Sequence, residues 1–308
     1  SVVAAQVNPN NDPVQRDRWI DDHSFNTDTF DELFSLPDPT HHYYAITIGD
    51  LRLVVLEATN IWRSPSLEPK TRGRYRERDE DLDDPSQWGY GQHLFEAIAQ
   101  GSPQYTWLQA ELTSPAFRQA RYKVVMFHHP PHSLGDNVVP AYTDPVQSID
   151  IAANGQIQSV RYEYPRDDDY LIRDVMPLLE SAGVQLVFYG HSHLWNRFDS
   201  PSGMHFLESS NVGNTYGAFP DSTGPHKRRP IPIGFDQDYA ATGDPNGLTP
   251  VIPTVAPLSA DGQPQPYIAS DRLTVFSILD TANGTVSSYY FDTATPTAPA
   301  VLFDQFTL

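Results

Sequence analysis

Five of the chain's 11 histidines fall in two short clusters. His128, His129 and His132 belong to the segment HHPPH, and His191 and His193 belong to the segment HSH. If the HSH segment is extended, its two histidines share a face with Cα atoms roughly 6.5 to 7 Å apart. Their imidazoles could then converge on one metal ion, or on two ions about 3.5 to 4 Å apart. The spacing alone leaves open whether these are metal ligands or hydrogen-bonded loop residues.

Each cluster follows a short, uninterrupted apolar run, YKVVMF before the first and VQLVFYG before the second. Such runs predict strands that are covered on both faces. Helices are predicted over 103–113 and 169–183, one before each run. The order helix, strand, helix, strand predicts an α/β sheet, and such sheets place ligands past the carboxyl ends of their strands. Gly190 is expected to let the backbone turn there.

Two hairpins are predicted outside this unit. The turn Gly49-Asp50 joins the runs YYAITI and LRLVVLEAT, and the turn Asn283-Gly284 joins LTVFSILD to VSSYYFD. Short Gly-containing turns between apolar runs are the usual signal of a hairpin. The segments near 63–87 and 213–270 lack apolar periodicity and are interpreted as insertions into a single domain spanning 1–308.

The composition limits the function. Lysine and arginine number 20 against 39 aspartates and glutamates, a formal net charge of −19, which disfavours nucleic acid as a partner. The chain contains no cysteine, so thiolate ligands and a cysteine nucleophile are excluded, and metal ligands besides histidine should be oxygen atoms. No apolar run approaches the ~18 residues typical of a membrane span.

The segments VVMFHHPPHSLG and GVQLVFYGHSHLWNR resemble the last two motifs of the calcineurin-like metallophosphoesterases, particularly the purple acid phosphatase branch. The resemblance extends over roughly residues 30–212 and 271–308. It implies an α/β fold built as a mixed β-sandwich flanked by helices. It also implies a centre of two divalent or mixed-valence ions, such as iron, zinc or manganese. His128 and His191 would bind one ion and His193 the other.

The resemblance implies further roles near the metals. His129 and Asn196 would contact the substrate, and His132 would be a candidate catalytic proton donor. Asn196 and Arg197 stand where relatives often have a Glu-Arg pair, and for Arg197 we expect a surface ion pair.

The family's earlier motifs, D-x-H, G-D and G-N-H, have no convincing counterpart. Asp21-Asp22-His23 follows no apolar strand, and Gly49-Asp50 is better explained as a hairpin turn. We therefore expect that the N-terminal part of the fold is absent from this chain. A complementary N-terminal polypeptide, either a separate chain or a cleaved segment, would carry these motifs and complete the metal centre. Alternatively, the chain is a non-catalytic structural or binding subunit.

With the centre completed, the expected reaction is hydrolysis of a small phosphate mono- or diester. The metals would activate water for in-line attack. The expected location, secreted or periplasmic, follows from the branch and from the acidic composition.

Overall fold

The computed structural model describes the residues 14–15, 28–38, 40–58, 60–61, 77, 79–84, 93–94, 97–135, 146–163, 169–210, 212, 218, 243–256, 258–260 and 262–308. Asp21-Asp22-His23 and most of the segment 63–87 lie outside them, as does much of 213–242. The two predicted insertions are therefore described only in part, and the single-domain assignment stays a prediction.

In the described residues, seven strands form the main sheet. They are β1 Tyr44–Ile48, β2 Leu51–Val55, β5 Tyr122–Met126, β8 Leu186–Tyr189, β9 Trp195–Asp199, β10 His205–Ser209 and β13 Tyr267–Ile268. Their order across the sheet is β1-β2-β5-β8-β10-β9-β13. Strands β2, β5, β8 and β10 are parallel, whereas β1, β9 and β13 each pair antiparallel. The predicted α/β sheet is confirmed, and the structure shows in addition that the two apolar runs are neighbouring parallel strands in it.

Helices cover one face of this sheet. They are α2 (Pro103–Leu112), α3 (Pro115–Gln119) and α4 (Met176–Ser181), which follows a π-helical turn at Leu171–Val175. Ser102 caps α2, since its hydroxyl accepts the N–H of Tyr105. Leu108, Leu112 and Leu179 pack with Val125 and Val187 of the sheet in one apolar core.

A second, antiparallel sheet covers the opposite face of the main sheet. It contains β14 (Leu273–Asp280), β15 (Thr285–Asp292) and β16 (Val301–Thr307) of the described C-terminal region. Val275, Val286 and Phe303 from this sheet pack against Val124 and Leu186. Each apolar run therefore buries side chains on both faces, and the described residues form a mixed β-sandwich with helices on one side.

The remaining elements are short or peripheral. They are the helix α1 (Asp28–Leu33), a 3₁₀ turn at Asp79–Asp81 and the antiparallel pairs β3 (Asn60–Ile61) with β4 (His93–Leu94), β6 (Val146–Ile151) with β7 (Ile157–Glu163), and β11 (Leu258–Ala260) with β12 (Gln263–Gln265). Among the described residues, none of the helices has the length and apolar character that crossing a membrane requires.

Candidate metal centre

The two histidine clusters meet at one edge of the main sheet. Strands β5 and β8 are parallel neighbours, with Met126 opposite Phe188, so their carboxyl ends lie side by side. The backbone N–H of Gly190 donates to the carbonyl oxygen of His128 at 3.1 Å, which joins the two loops directly. The predicted placement of both clusters past the strand ends is confirmed.

Three imidazoles converge at this edge. The ligand atoms of His128, His129 and His191 all lie within 4.8 Å of one another, and His128 Nε2 is 3.1 Å from His191 Nδ1. Two nitrogens bound to one ion at about 2.0 to 2.1 Å would be separated by roughly 3 to 3.4 Å. The described residues offer this one group of three or more close candidate ligands, and it contains no carboxylate.

His129 is held in an orientation that suits a ligand. Its ring is buried and lies 3.9 Å, between centroids, from the ring of His191. Its Nδ1 lies 3.2 Å from the carbonyl oxygen of Ala58, which can only accept, so Nδ1 carries the proton and Nε2 carries the lone pair. Metal-binding histidines usually have their second nitrogen bonded in this way. The three residues present therefore fit a metal ion.

The HSH segment is not extended, so the condition under which its two histidines would share a face is not met. His191 has φ +79° and His193 has φ +57°, both in the left-handed region, which is uncommon for residues other than glycine although histidine adopts it more often than most. The turn therefore occurs at the two histidines and not through a positive φ at Gly190. The absence of a side chain at Gly190 matters instead for packing, since a Cβ there would lie 3.3 Å from Ser210 Cβ.

His193 lies outside the group of three but acts on it electrostatically. His128 is the most exposed of the three residues. The partial burial of its ring, and to a smaller extent the nearby charge of His193, lower the pKa of His128 from its ordinary value. The lowered pKa favours the neutral imidazole, which is the form that binds metal. The separate metal predicted for His193 stays a prediction.

His132 is not part of the group of three and is itself buried. Its Nδ1 is 2.7 Å from Asp244 Oδ2, and its ring lies 4.5 Å from that of Phe206. The hydroxyl of Tyr189 donates to its carbonyl oxygen. The structure thus gives His132 a partner inside the protein, while its predicted part in proton transfer stays a prediction.

Asn196 is fully buried in β9, beneath the histidine loops. Its Oδ1 accepts the N–H of Leu134, and its Nδ2 donates to Glu208 Oε2 at 2.8 Å. Both ends of the amide are thus engaged inside the protein, and the predicted substrate contact stays a prediction.

Arg197 does form an ion pair, with Asp304 at 2.9 Å, but its side chain is 3% exposed. The expectation of a surface pair is therefore wrong, because β9 is covered by the second sheet.

Two buried acids beneath the loops were missed from the sequence. Burial raises the pKa of Glu208 to about 8, although several hydrogen bonds act in the opposite direction. Glu208 stands in the apolar run HFLES at the carboxyl end of a strand, and that position was a usable signal. Asp244 comes from the Pro- and Gly-rich segment, where nothing local distinguishes it.

The fold and site together define a mixed α/β sandwich with an imidazole cluster at its strand ends. No protein-family model matches the chain, and no curated protein matches it. A structure of purple acid phosphatase PPD1 from yellow lupin (Lupinus luteus) seeds is 12% identical over 90% of this chain, with a TM-score of 0.39. A structure of PhoD is 12% identical over 89% of this chain, with a TM-score of 0.30.

The chain spans only 34% of the first of these structures and 46% of the second. At TM-scores of 0.39 and 0.30 the similarity of these two structures to the chain is distant.

Proposed function

We propose that the chain contributes the histidine half of a two-metal centre that hydrolyses small phosphate mono- or diesters. The observation that carries this proposal is the convergence of His128, His129 and His191 within 4.8 Å at the carboxyl ends of two parallel strands. His193, next in the same turn, is the candidate ligand for the second ion. Of the three rings only that of His129 is buried, so an ion and a substrate can reach the cluster from the solvent side.

The acidic and amide ligands of the centre are proposed to come from a complementary N-terminal polypeptide with the D-x-H, G-D and G-N-H motifs. Neutral imidazoles cannot offset the charge of two divalent ions, and the cluster in the described residues contains no carboxylate. In the described part of the main sheet, β1 is an end strand. Its outer edge offers backbone groups to which a further strand can add.

Bound metal ions would supply an activated water and would polarise the phosphoryl oxygens. The chain's own residues would orient those ions, since the loops that carry the histidines are fixed to the sheet. His129 belongs to the metal-binding group in this proposal, and His132 is the candidate proton donor to the leaving group. Asn196 could contact substrate only if its buried amide were released from Leu134 and Glu208. The net charge of −19 disfavours polyanionic substrates. A secreted or periplasmic location belongs to the same proposal and agrees with the acidic composition.

The substitution His191→Ala tests the proposal because it removes the imidazole that contacts both other rings. The protein is isolated from its source without chelators, together with any polypeptides that co-purify. In His191→Ala we expect both the bound metal and the hydrolysis of p-nitrophenyl phosphate to fall to background. Elemental analysis and a turnover assay measure the two effects. His205→Ala is the matched control, since His205 is partly exposed and pairs with Asp199 away from the cluster.

Unchanged metal content in His191→Ala would contradict the proposal. Retained metal binding without hydrolysis in the unsubstituted protein would instead favour a non-catalytic binding subunit.

A further inference from the structure

The left-handed turn at His191–Ser192–His193 needs an external restraint. Two histidines with positive φ, separated by a single residue, are strained, and such strain persists only where the surroundings impose it. The imidazole directions of both histidines depend on this backbone. The residue between them, Ser192, is fully buried and is the point at which the protein interior contacts the turn.

Ser192 is bound to a carboxylate on the neighbouring part of the sheet. Its backbone N–H donates to Glu208 Oε1 at 2.8 Å, and its hydroxyl lies 2.9 Å from that of Ser133. Glu208 lies in β10, in the parallel core of the sheet, with no exposed surface. The turn is therefore hydrogen-bonded, through the backbone of Ser192, to a side chain of strand β10.

The second oxygen of the same carboxylate reaches the other histidine loop. Glu208 Oε2 accepts Asn196 Nδ2 at 2.8 Å and the hydroxyl of Ser133 at 3.0 Å. Asn196 in turn accepts the N–H of Leu134 at 2.9 Å. One side chain thus connects the segment after His128 and His129 with the turn that contains His191.

We propose that Glu208 is a positioning residue that holds the His191–Ser192–His193 turn in its left-handed form and aligns it with the 128–135 loop. The consequence for metal affinity rests on the proposed function, whereas the effect on the turn does not. The hydrogen bonds of Glu208 go to Ser192, Asn196 and Ser133, so it acts through the backbone of Ser192 and through the two loops.

The chemistry of the contacts requires a carboxyl group and not merely a side chain of this size. Asn196 Nδ2 and the Ser192 N–H can only donate, so each needs an acceptor, and a carboxyl group supplies both whether or not it carries a proton. In Glu208→Gln the amide nitrogen must face one of these two donors. A side chain that only filled space would tolerate this nearly isosteric change.

The double substitution Asn196→Asp with Glu208→Gln exchanges the two groups. The new Gln amide can donate to the new carboxylate and still accept the Ser192 N–H, while the Asp retains an oxygen for Leu134. We therefore expect the exchange to restore what Glu208→Gln alone destroys. Asp304→Asn is the control for a loss of stability as such, because it weakens the buried pair with Arg197, while the carboxylate of Asp304 bonds to Arg197 and Thr254 and not to the turn.

The test uses the full chain and two measurements. Hydrogen exchange of the Ser192 amide, measured by NMR without metal, reports the turn, and a Zn²⁺ titration reports the ligands. For Glu208→Gln we expect a fall of about tenfold or more in Ser192 protection and about 10- to 100-fold weaker Zn²⁺ binding. The double variant should recover both, and Asp304→Asn should change neither.

Unchanged Ser192 protection in Glu208→Gln would overturn the inference, as would failure of the exchanged pair to restore it. If Glu208→Gln does not fold, Ser133→Ala serves in its place, because it removes one donor to Glu208 and should lower the protection of the Ser192 amide to a smaller extent. Unchanged Ser192 protection in Ser133→Ala would also overturn the inference. If the unsubstituted chain binds no Zn²⁺ but Ser192 protection responds as expected, the proposed function fails and the positioning role stands.

Discussion

His132 and His205 form aspartate pairs of the same length in very different surroundings. Both Nδ1–Oδ distances are 2.7 Å, but the His132–Asp244 side chains are 8% and 0% exposed, against 18% and 41% for His205 and Asp199. A buried pair that loses one partner leaves the other desolvated, whereas an exposed pair is replaced by water. Asp244 also accepts the backbone N–H groups of Ser133 and Leu248, so its carboxylate organises the end of the histidine loop.

The substitution His132→Ala is expected to lower the free energy of unfolding by about 3 to 5 kcal/mol, because Asp244 remains buried without the imidazole. His205→Ala, the matched control, should cost about 1 kcal/mol or less, since its partner is open to solvent. Urea denaturation of both variants measures the difference. Equal losses in the two variants would contradict it. A large loss of hydrolysis without a loss of stability would instead favour the proton-donor role predicted for His132.

At the scale of elements, the turn of the β14–β15 hairpin is fitted against the main sheet. Gly284 has φ +79°, and a Cβ placed on it would lie 2.7 Å from Cε1 of Tyr122, the first residue of β5. The turn therefore requires glycine twice, once for its backbone and once for its packing. This contact fixes the second sheet against the strand that leads to His128.

Gly284→Ala is expected to destabilise the protein by more than the strain of the positive φ alone. Gly155 supplies the matched control, because it has φ +83° in the β6–β7 turn and open space where the Cβ would lie. Strain should cost Gly155→Ala about 1 kcal/mol. Gly284→Ala should cost this amount and roughly 1 to 3 kcal/mol more for overpacking against Tyr122. Thermal or urea unfolding measures the free energy of unfolding of the two variants. Equal decreases would show that the Tyr122 ring moves aside at no cost in free energy.

The elements that the sequence predicts correctly are those encoded by neighbouring residues. Ser102 before Pro103 predicts the start of α2, Gly49-Asp50 predicts the first hairpin, and the two apolar runs predict the central parallel strands. Their carboxyl ends then predict that the two histidine clusters meet. These are all consequences of local pattern and of one rule for parallel sheets.

What the sequence does not predict depends on contacts between distant residues. The left-handed backbone of His191 and His193 is imposed through Glu208, which is 16 positions from Ser192. Asp244 reaches His132 from 112 positions away. No spacing rule connects such pairs, so their burial and their roles become visible only when the chain is folded.

At the scale of the whole molecule, the pKa shifts of Asp169 and Glu208 change the free energy of unfolding with pH in one direction, and the pKa shift of His128 changes it in the other. Burial raises the pKa of Asp169 from 3.8 to about 6 and that of Glu208 from 4.5 to about 8. The folded protein therefore binds more protons than the unfolded chain in these ranges, and stability falls as the pH rises through them. The lowered pKa of His128 has the opposite sign, but its effect is confined to pH values below its ordinary 6.5.

Between pH 6.5 and pH 8, the titration of Glu208 is accordingly expected to dominate among these three groups. The contribution of a protonated Glu208 is complete below pH 4.5 and is lost as the pH rises to about 8. The free energy of unfolding should fall by about 1 to 2 kcal/mol over the upper part of this range, at a limit of about 1.4 kcal/mol per pH unit. Urea denaturation at pH 6.5 and pH 8 measures the fall. Glu208→Gln cannot titrate and should show a flatter profile, whereas Asp304→Asn keeps Glu208 and should keep the fall. Two results would contradict this expectation: a protein that is more stable at pH 8 than at pH 6.5, or a Glu208→Gln variant whose stability falls as steeply as that of the unsubstituted protein. Either result would show that the Glu208 carboxyl group is ionised throughout this range. The donors of Ser192, Asn196 and Ser133 would then hold it as an anion.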